Sequence, residues 1–174
     1  DLPPKFYSKT NPSPVSNPSL ILANSSLAQE LGIPENWIRS QQAIDTFSGN
    51  KILSGSNPIA MVYAGHQFGH FVPQLGDGRA LLLGECIDKL GNHRDIQLKG
   101  SGKTNYSRSG DGRSPIGPVI REYLVSEAMH ALNIPTTRAL AAVSTGDTVY
   151  RDTSFPGGIL TRVAKSHVRI GTFE

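Results

Sequence analysis

Apolar residues come in short runs of differing spacing, and the changes of spacing predict the elements. Residues 1 to 20 show no apolar periodicity and are punctuated by Pro3, Pro4, Pro12, Pro14 and Pro18, which predicts an extended segment wrapped over a surface. Ser25 to Leu31 (SSLAQEL) predicts a short helix, capped by a serine and stopped by Gly32. A second helical piece is expected from Glu35 to about Phe47, with Trp37, Ile38 and Ile44 as its apolar contacts. Pro58 to Tyr63 is apolar but too brief to type by period. Arg79 to Cys86 and His93 to Lys99 read as strands, joined by a turn at 88–92 into a hairpin. Gly100 to Gly117 is polar, with five glycines, and predicts a long functional loop. Pro118 to Leu132 is the strongest helix. Its apolar stripe is Ile120, Leu124, Ala128 and Ala131, backed by Tyr123 and Leu132. Three further strands are expected at Arg138–Ser144, Thr148–Asp152 and Gly158–Lys165, with turns at Gly146-Asp147 and Pro156-Gly157-Gly158. Hairpin, loop, helix and antiparallel strands in that order predict an α+β lobe.

Composition narrows the class. The 174 residues fit one domain or slightly more, with 37% hydrophobic and 18% charged residues. With 18 glycines and 12 prolines, the expectation is a soluble α+β protein with long loops rather than a disordered chain. Lys and Arg number 17 against 14 Asp and Glu, a net charge of +3 that is too mild to argue for a nucleic-acid partner. Cys86 is the single cysteine, so no disulfide can form within the chain and a reducing, cytoplasmic location is expected. It follows an apolar run and reads as a buried, inert thiol. No apolar run approaches a membrane span, and no signal peptide is visible. The chain starts at Asp1 and ends at Glu174 just after a basic strand, so it reads as one piece of a longer protein.

The chemistry concentrates in Asp95 to Arg113, DIQLKGSGKTNYSRSGDGR. GSGKT matches the end of a phosphate-binding P-loop, but the first glycine of that pattern falls on Gln97, inside a strand. No apolar helix pattern follows Thr104 either, so the P-loop reading is rejected. Lys99 ends an apolar strand and Glu122 lies on the next helix. A strand lysine oriented by a helix carboxylate is how protein kinases grip phosphates. Glu127 is an equally good partner by periodicity, and a solvated surface lysine is the plain alternative. Gly76-Asp77-Gly78-Arg79 can bring backbone close to a ligand and an arginine to phosphate, or simply form a turn. Asp111-Gly112 closes the loop, and Arg162 and Arg169 suit an anion or a solvated basic strand. His66 and His70 have the i, i+4 spacing of a helical metal pair, but Gly65, Gly69 and Pro73 argue against a helix there. No metal ligand is assigned.

YAGHQFG (63–69), PQLGDGRALLLGE (73–85), LKGSGKTNYSRSGDGR (98–113), IREYLVSEAMHAL (120–132), IPTTRALA (134–141) and ILTRVAKSHVRIGTFE (159–174) together resemble the selenoprotein O family, also called YdiU. The resemblance runs from about FYSK (6–9) onward. It implies a protein-kinase-like N-lobe at 58–174, preceded by an N-terminal extension at 1–57, with the catalytic C-lobe absent from this chain. It implies AMP transfer from ATP, bound in a flipped pose, to Ser, Thr or Tyr hydroxyls of protein partners, with Mg or Mn. Nucleotide contacts would fall on Gly76, Gly78, Arg79, Lys99, Asp111, Gly112, Arg162 and Arg169, with Lys99 and Glu122 as the catalytic pair. GSGKT would be a flap over the nucleotide. The catalytic base and the metal ligands would lie beyond Glu174, leaving this stretch inactive alone. No nucleic acid or membrane partner is expected.

Overall fold

The computed structural model describes residues 3–174. Its centre is an antiparallel sheet whose strands are β1 (Tyr7–Lys9), β2 (Ser19–Ala23), β3 (Ile59–Met61), β6 (Ala80–Ile87), β7 (His93–Lys99), β8 (Ser114–Pro115), β9 (Arg138–Tyr150) and β10 (Ser154–Ala164). Their spatial order is β1-β3-β6-β7-β10-β9-β2, with β8 paired to β10 beside that path. The remaining strands, β4 (Gly65–Gln67) and β5 (His70–Val72), form a separate small hairpin. It carries His66 and His70 on extended backbone, which removes the helical spacing a metal pair needs.

Helices cover both faces of the sheet. On one face lie α1 (Ser25–Glu30), α2 (Glu35–Ile38) and α3 (Gln41–Ser48). Their buried Leu27, Ile38, Ala43 and Phe47 pack with Leu98, Leu140, Val143 and Ile159 of the sheet. On the other face lies α4 (Ile116–Ala131), whose Val119 and Tyr123 meet Ala139, Ala142 and Leu160. The two alanines let the helix sit close to the strands. This is a mixed α+β fold with one main helix, as the sequence predicts, and β2 of the extended N-terminal segment completes one edge of the same sheet.

Several boundaries differ from the sequence reading, each for a local reason. Asn24, rather than a serine, caps α1 by accepting from the Leu27 amide at 3.0 Å. The expected helix from Glu35 to Phe47 is two, because Ser40 is extended and its hydroxyl starts α3 by accepting from Ala43 N–H. Gly146-Asp147 and Pro156 to Gly158 are not turns. They form a bulge across one continuous β9–β10 pair, and the chain reverses at 151–153. The α4 stripe is also out of phase. Leu124 is 57% exposed and Leu132 is exposed too, while Val119 and Tyr123 are buried. The helix has apolar residues on two sides, and Glu122 and Glu127 flank its buried Val119–Tyr123 stripe, where each meets charges of the sheet.

Candidate functional site

Lys99 ends the strand between β6 and β10, with Ala80 and Leu160 as its register neighbours. Alternation along β7 puts Lys99 and Gln97 on the α4 side. Arg162 is the cross-strand partner of Gln97. Lys99 Nζ donates to Glu122 Oε2 at 2.6 Å, and Arg162 Nη1 donates to Glu122 Oε1 at 3.2 Å. Arg162 Nη2 donates to Gln97 Oε1, and Gln97 Nε2 in turn faces Asp77 Oδ2 at 3.5 Å. Asp77 also accepts from Met61 N–H at 3.2 Å and Tyr63 Oη at 3.1 Å. One polar chain therefore joins α4 to four strands or their ends.

Glu127 is not the partner of Lys99. It stands five residues from Glu122, about 140° around the helix. It accepts instead from Arg138 Nη2 at 2.8 Å, Ala139 N–H at 3.0 Å and Asn24 Nδ2 at 2.7 Å. That carboxylate fastens α4 to the start of β9 and to the cap of α1.

Burial sets the electrostatics. It pulls the Lys99 ammonium below its ordinary pKa, against the hydrogen bond it donates to Glu122 and with help from the Arg162 charge. Arg162, only 8% exposed, is also pulled down, by burial first. Burial raises Glu122, but Lys99 and Arg162 outweigh it and hold the carboxyl below its usual range. Burial lifts Asp77 despite its hydrogen bonds, and burial with the Asp77 charge pushes the Tyr63 phenol up to about 12. Lys99 and Arg162 thus form a desolvated cationic pair bridged by one carboxylate.

Gly76, Gly78, Arg79, Lys99, Asp111, Gly112, Arg162 and Arg169 all line one cleft of about 610 Å³. Glu122 stands behind Lys99, on a smaller adjoining pocket that shares Arg79 and Lys99. The Arg169 guanidinium lies 5.0 Å above the Tyr63 ring. GSGKT belongs to a flap, not to a strand-to-helix phosphate loop. Thr104 Oγ1 donates to the Asp77 carbonyl at 2.6 Å and Ser107 Oγ to the Gly78 carbonyl at 2.5 Å. A Cβ on Gly78 would meet the Tyr106 carbonyl oxygen at 2.9 Å, so the G-D-G segment and the flap approach backbone to backbone. Asp111 accepts two hydrogen bonds from Arg151.

Sequence reasoning missed Gln97, Tyr63, Arg108 and Arg151. Gln97 carried a usable signal, a large polar residue set between the apolar Ile96 and Leu98. Arg151 carried none, because a basic residue near a turn is unremarkable until the fold brings it to the cleft.

The cleft offers a polyanion seven cationic side chains, Arg79, Lys99, Arg108, Arg113, Arg151, Arg162 and Arg169. Buried Arg162 Nε has no hydrogen-bond partner among the described residues. Among the described residues, no group of three or more His, Cys, Asp or Glu could hold a metal ion, and no helix is long and apolar enough to cross a membrane. Fold and site together define an α+β lobe with a cationic cleft against its central strands. The family model described as protein adenylyltransferase SelO matches residues 1–174, and the chain belongs to that family. A relative named protein nucleotidyltransferase YdiU from Alkalilimnicola ehrlichii is 61% identical over 173 residues, covering 99% of this chain and 35% of the relative. Proteins of the same name from Rhizobium rhizogenes and Rhodopseudomonas palustris are 62% and 60% identical, with 34% and 35% of their lengths covered. The chain therefore spans about a third of the curated relatives it matches.

Proposed function

We propose that this chain is the nucleotide-gripping lobe of a protein adenylyltransferase, which as a whole protein transfers AMP from ATP to Ser, Thr or Tyr hydroxyls of proteins. The observation that carries the reading is the Lys99–Glu122–Arg162 cluster at the wall of a cationic cleft, in a member of the SelO family. A strand lysine held by a helix carboxylate on an antiparallel sheet supports a kinase-like N-lobe at 58–174. Residues 1–57 then act as an extension that buttresses the lobe, and the catalytic C-lobe belongs to the rest of the protein. The single cysteine, Cys86, supports a cytoplasmic setting.

The chemistry is electrostatic. The bond from the α-phosphorus to the bridging oxygen breaks, the substrate hydroxyl oxygen bonds to that phosphorus, and pyrophosphate leaves with the electron pair. Lys99, Arg162 and Arg169 neutralise the departing end, which leaves the α-phosphate to face the hydroxyl. Arg79, with the backbone of Gly76 and Gly78, lines the approach, while Asp111 and Gly112 close over the nucleotide. The hydroxyl proton goes to a base outside this chain. Mg or Mn would supply further charge neutralisation on the phosphates. Glu122 and Asp111 are engaged by cations, which supports placing the metal's ligands in the rest of the protein. The lobe alone is expected to be inactive.

The test uses the full-length protein with ATP labelled at the α-phosphate and, in parallel, at the γ-phosphate, in a mixture of cell proteins. Label retained from the α-position alone supports AMP transfer. Label from the γ-position alone makes the protein a conventional kinase, and no label from either makes it a non-catalytic nucleotide-binding pseudokinase.

A further inference from the structure

Asp111 stands at the cleft, yet much of its carboxylate is already engaged. Arg151 donates from Nη1 to Oδ2 and from Nη2 to Oδ1, both at 2.9 Å, a fork-to-fork pair. The same Nη2 donates to the Arg113 carbonyl at 2.9 Å, and Arg113 N–H donates to Asp111 Oδ1 at 2.9 Å. Arg151 sits where β9 turns into β10, forty residues further along the chain. The fold brings that turn against the flap, and both residues line the cleft.

The flap is held at two places by different means. Its first half is pinned to the G-D-G segment through Thr104 and Ser107. Its return leg is closed by backbone, with Gly102 N–H donating to the Gly112 carbonyl at 3.2 Å and Ser101 bridged to Arg113. Gly112 has φ +68°, and a Cβ there would meet the Gly102 carbonyl oxygen at 1.9 Å, so no side chain fits. Asp111 lies just outside this closed base, and Arg151 fixes the direction of its carboxylate. A carboxylate offers about four acceptor positions. Three are taken by Arg151 and Arg113, and the remaining one is free for a ligand hydroxyl.

We propose that Arg151 is a positioning residue of the nucleotide site, acting through Asp111 to aim its free acceptor into the cleft and to hold the flap over the bound nucleotide. This rests on the placement of Asp111 at the nucleotide in the reading above. The pair is 39% and 43% exposed, so as a fold-stabilising contact it contributes little. Its loss acts on ligand capture instead.

The experiment measures calorimetric binding of an ATP analogue with a methylene bridge between the α- and β-phosphorus to the full-length protein. The variants are Arg151→Ala, Arg151→Lys, Asp111→Asn and the Arg151→Ala/Asp111→Asn double variant, each with its thermal midpoint. Arg151→Ala is expected to weaken binding roughly tenfold with its midpoint nearly unmoved, and the double variant to bind no worse than Asp111→Asn. Arg151→Lys recovers only part of the loss, because an ammonium cannot form the fork. Wild-type affinity in either Arg151 variant, with Asp111→Asn weakened, overturns the inference and leaves the nucleotide placement standing. Wild-type affinity in Asp111→Asn as well overturns both. Losses that add in the double variant show Arg151 acting independently of Asp111 and also overturn the inference.

Discussion

Replacing Glu127 with alanine is the sharpest test of how the site is held together, because Glu127 touches no part of the cleft. Its carboxylate receives Arg138, the Ala139 amide and the Asn24 side chain. The Arg138 side chain is 11% exposed and Ala139 is buried, so water can replace the lost acceptor only in part. Each buried donor left without a partner costs about 1–3 kcal/mol, and breaking a buried ion pair about 3–5 kcal/mol. Glu127 itself is partly exposed, which reduces the sum to about 3 kcal/mol. In a full-length protein about three times as long as this chain, that lowers the thermal midpoint by roughly 3 °C. The assay is thermal unfolding of the full-length protein, with Glu35→Ala as control. Glu35 pairs with Arg39 on an exposed face, and its loss should leave the midpoint nearly unmoved. The sign with pH follows from Glu127. Burial raises its carboxyl, but Arg138, Ala139 and Asn24 outweigh that and hold it below 4.5. Its contribution is therefore full above 4.5 and lost as pH falls through the depressed folded value. The gap between wild type and Glu127→Gln should close in acid. Equal midpoints for the Glu127→Ala and Glu35→Ala proteins, or a gap that widens in acid, would refute the reasoning.

Further outcomes follow from the cleft. Lys99→Ala in the full-length protein should cut transfer of α-label by about 100-fold or more while leaving the circular dichroism spectrum unchanged, and a folded variant with undiminished transfer would remove Lys99 from the site. Arg162→Lys should behave as a damaging change, since an ammonium cannot serve both Gln97 and Glu122. ATP affinity measured by calorimetry should fall about tenfold or more, and wild-type affinity would show the planar group to be dispensable. Burial lowers the Lys99 pKa in the free protein, and phosphate would raise it again. Binding of ATP should therefore take up protons at alkaline pH, with affinity full below the free value and lost as pH rises through the bound one. Calorimetry in two buffers of different ionisation enthalpy reads this directly, and its absence in wild type, or its persistence in Lys99→Met, would assign the proton elsewhere.

The parts of the fold legible in the sequence are those decided by local pattern. The β6–β7 hairpin has alternating or continuous apolar runs flanked by turn residues, and its second strand, His93–Lys99, has the expected bounds. Helix α4 was found because a long apolar-periodic stretch begins near a proline, but its buried side was misjudged. Periodicity counts apolar residues, whereas this helix turns two carboxylates inward to meet Lys99, Arg162 and Arg138. The choice between Glu122 and Glu127 is likewise invisible to spacing, because it depends on where β9 begins relative to the helix. The bulge across β9 and β10 looked like two turns, since glycine and proline mark irregular backbone without saying whether the chain reverses. Arg151 reaches the site only because those strands run on past the bulge.

Net charge is uninformative for a related reason. The whole chain carries +3, which on its own excludes little. The cleft lining holds seven cationic side chains against two carboxylates, Asp77 and Asp111. Seven less two is an excess of five, so the rest of the chain is negative by two. Charge is segregated, with its positive part gathered on a concave surface. There each cation is worth more to a polyanion than it would be on an open face. The cations sit just before β6, at the end of β7, on the flap, in the β9–β10 turn, on β10 and in the segment after it, which are widely separated in sequence. An average over the chain cannot register such a cluster, and neither can a window moved along it. Folding creates the field, and Glu122 and Asp111 offset part of the repulsion among the cations.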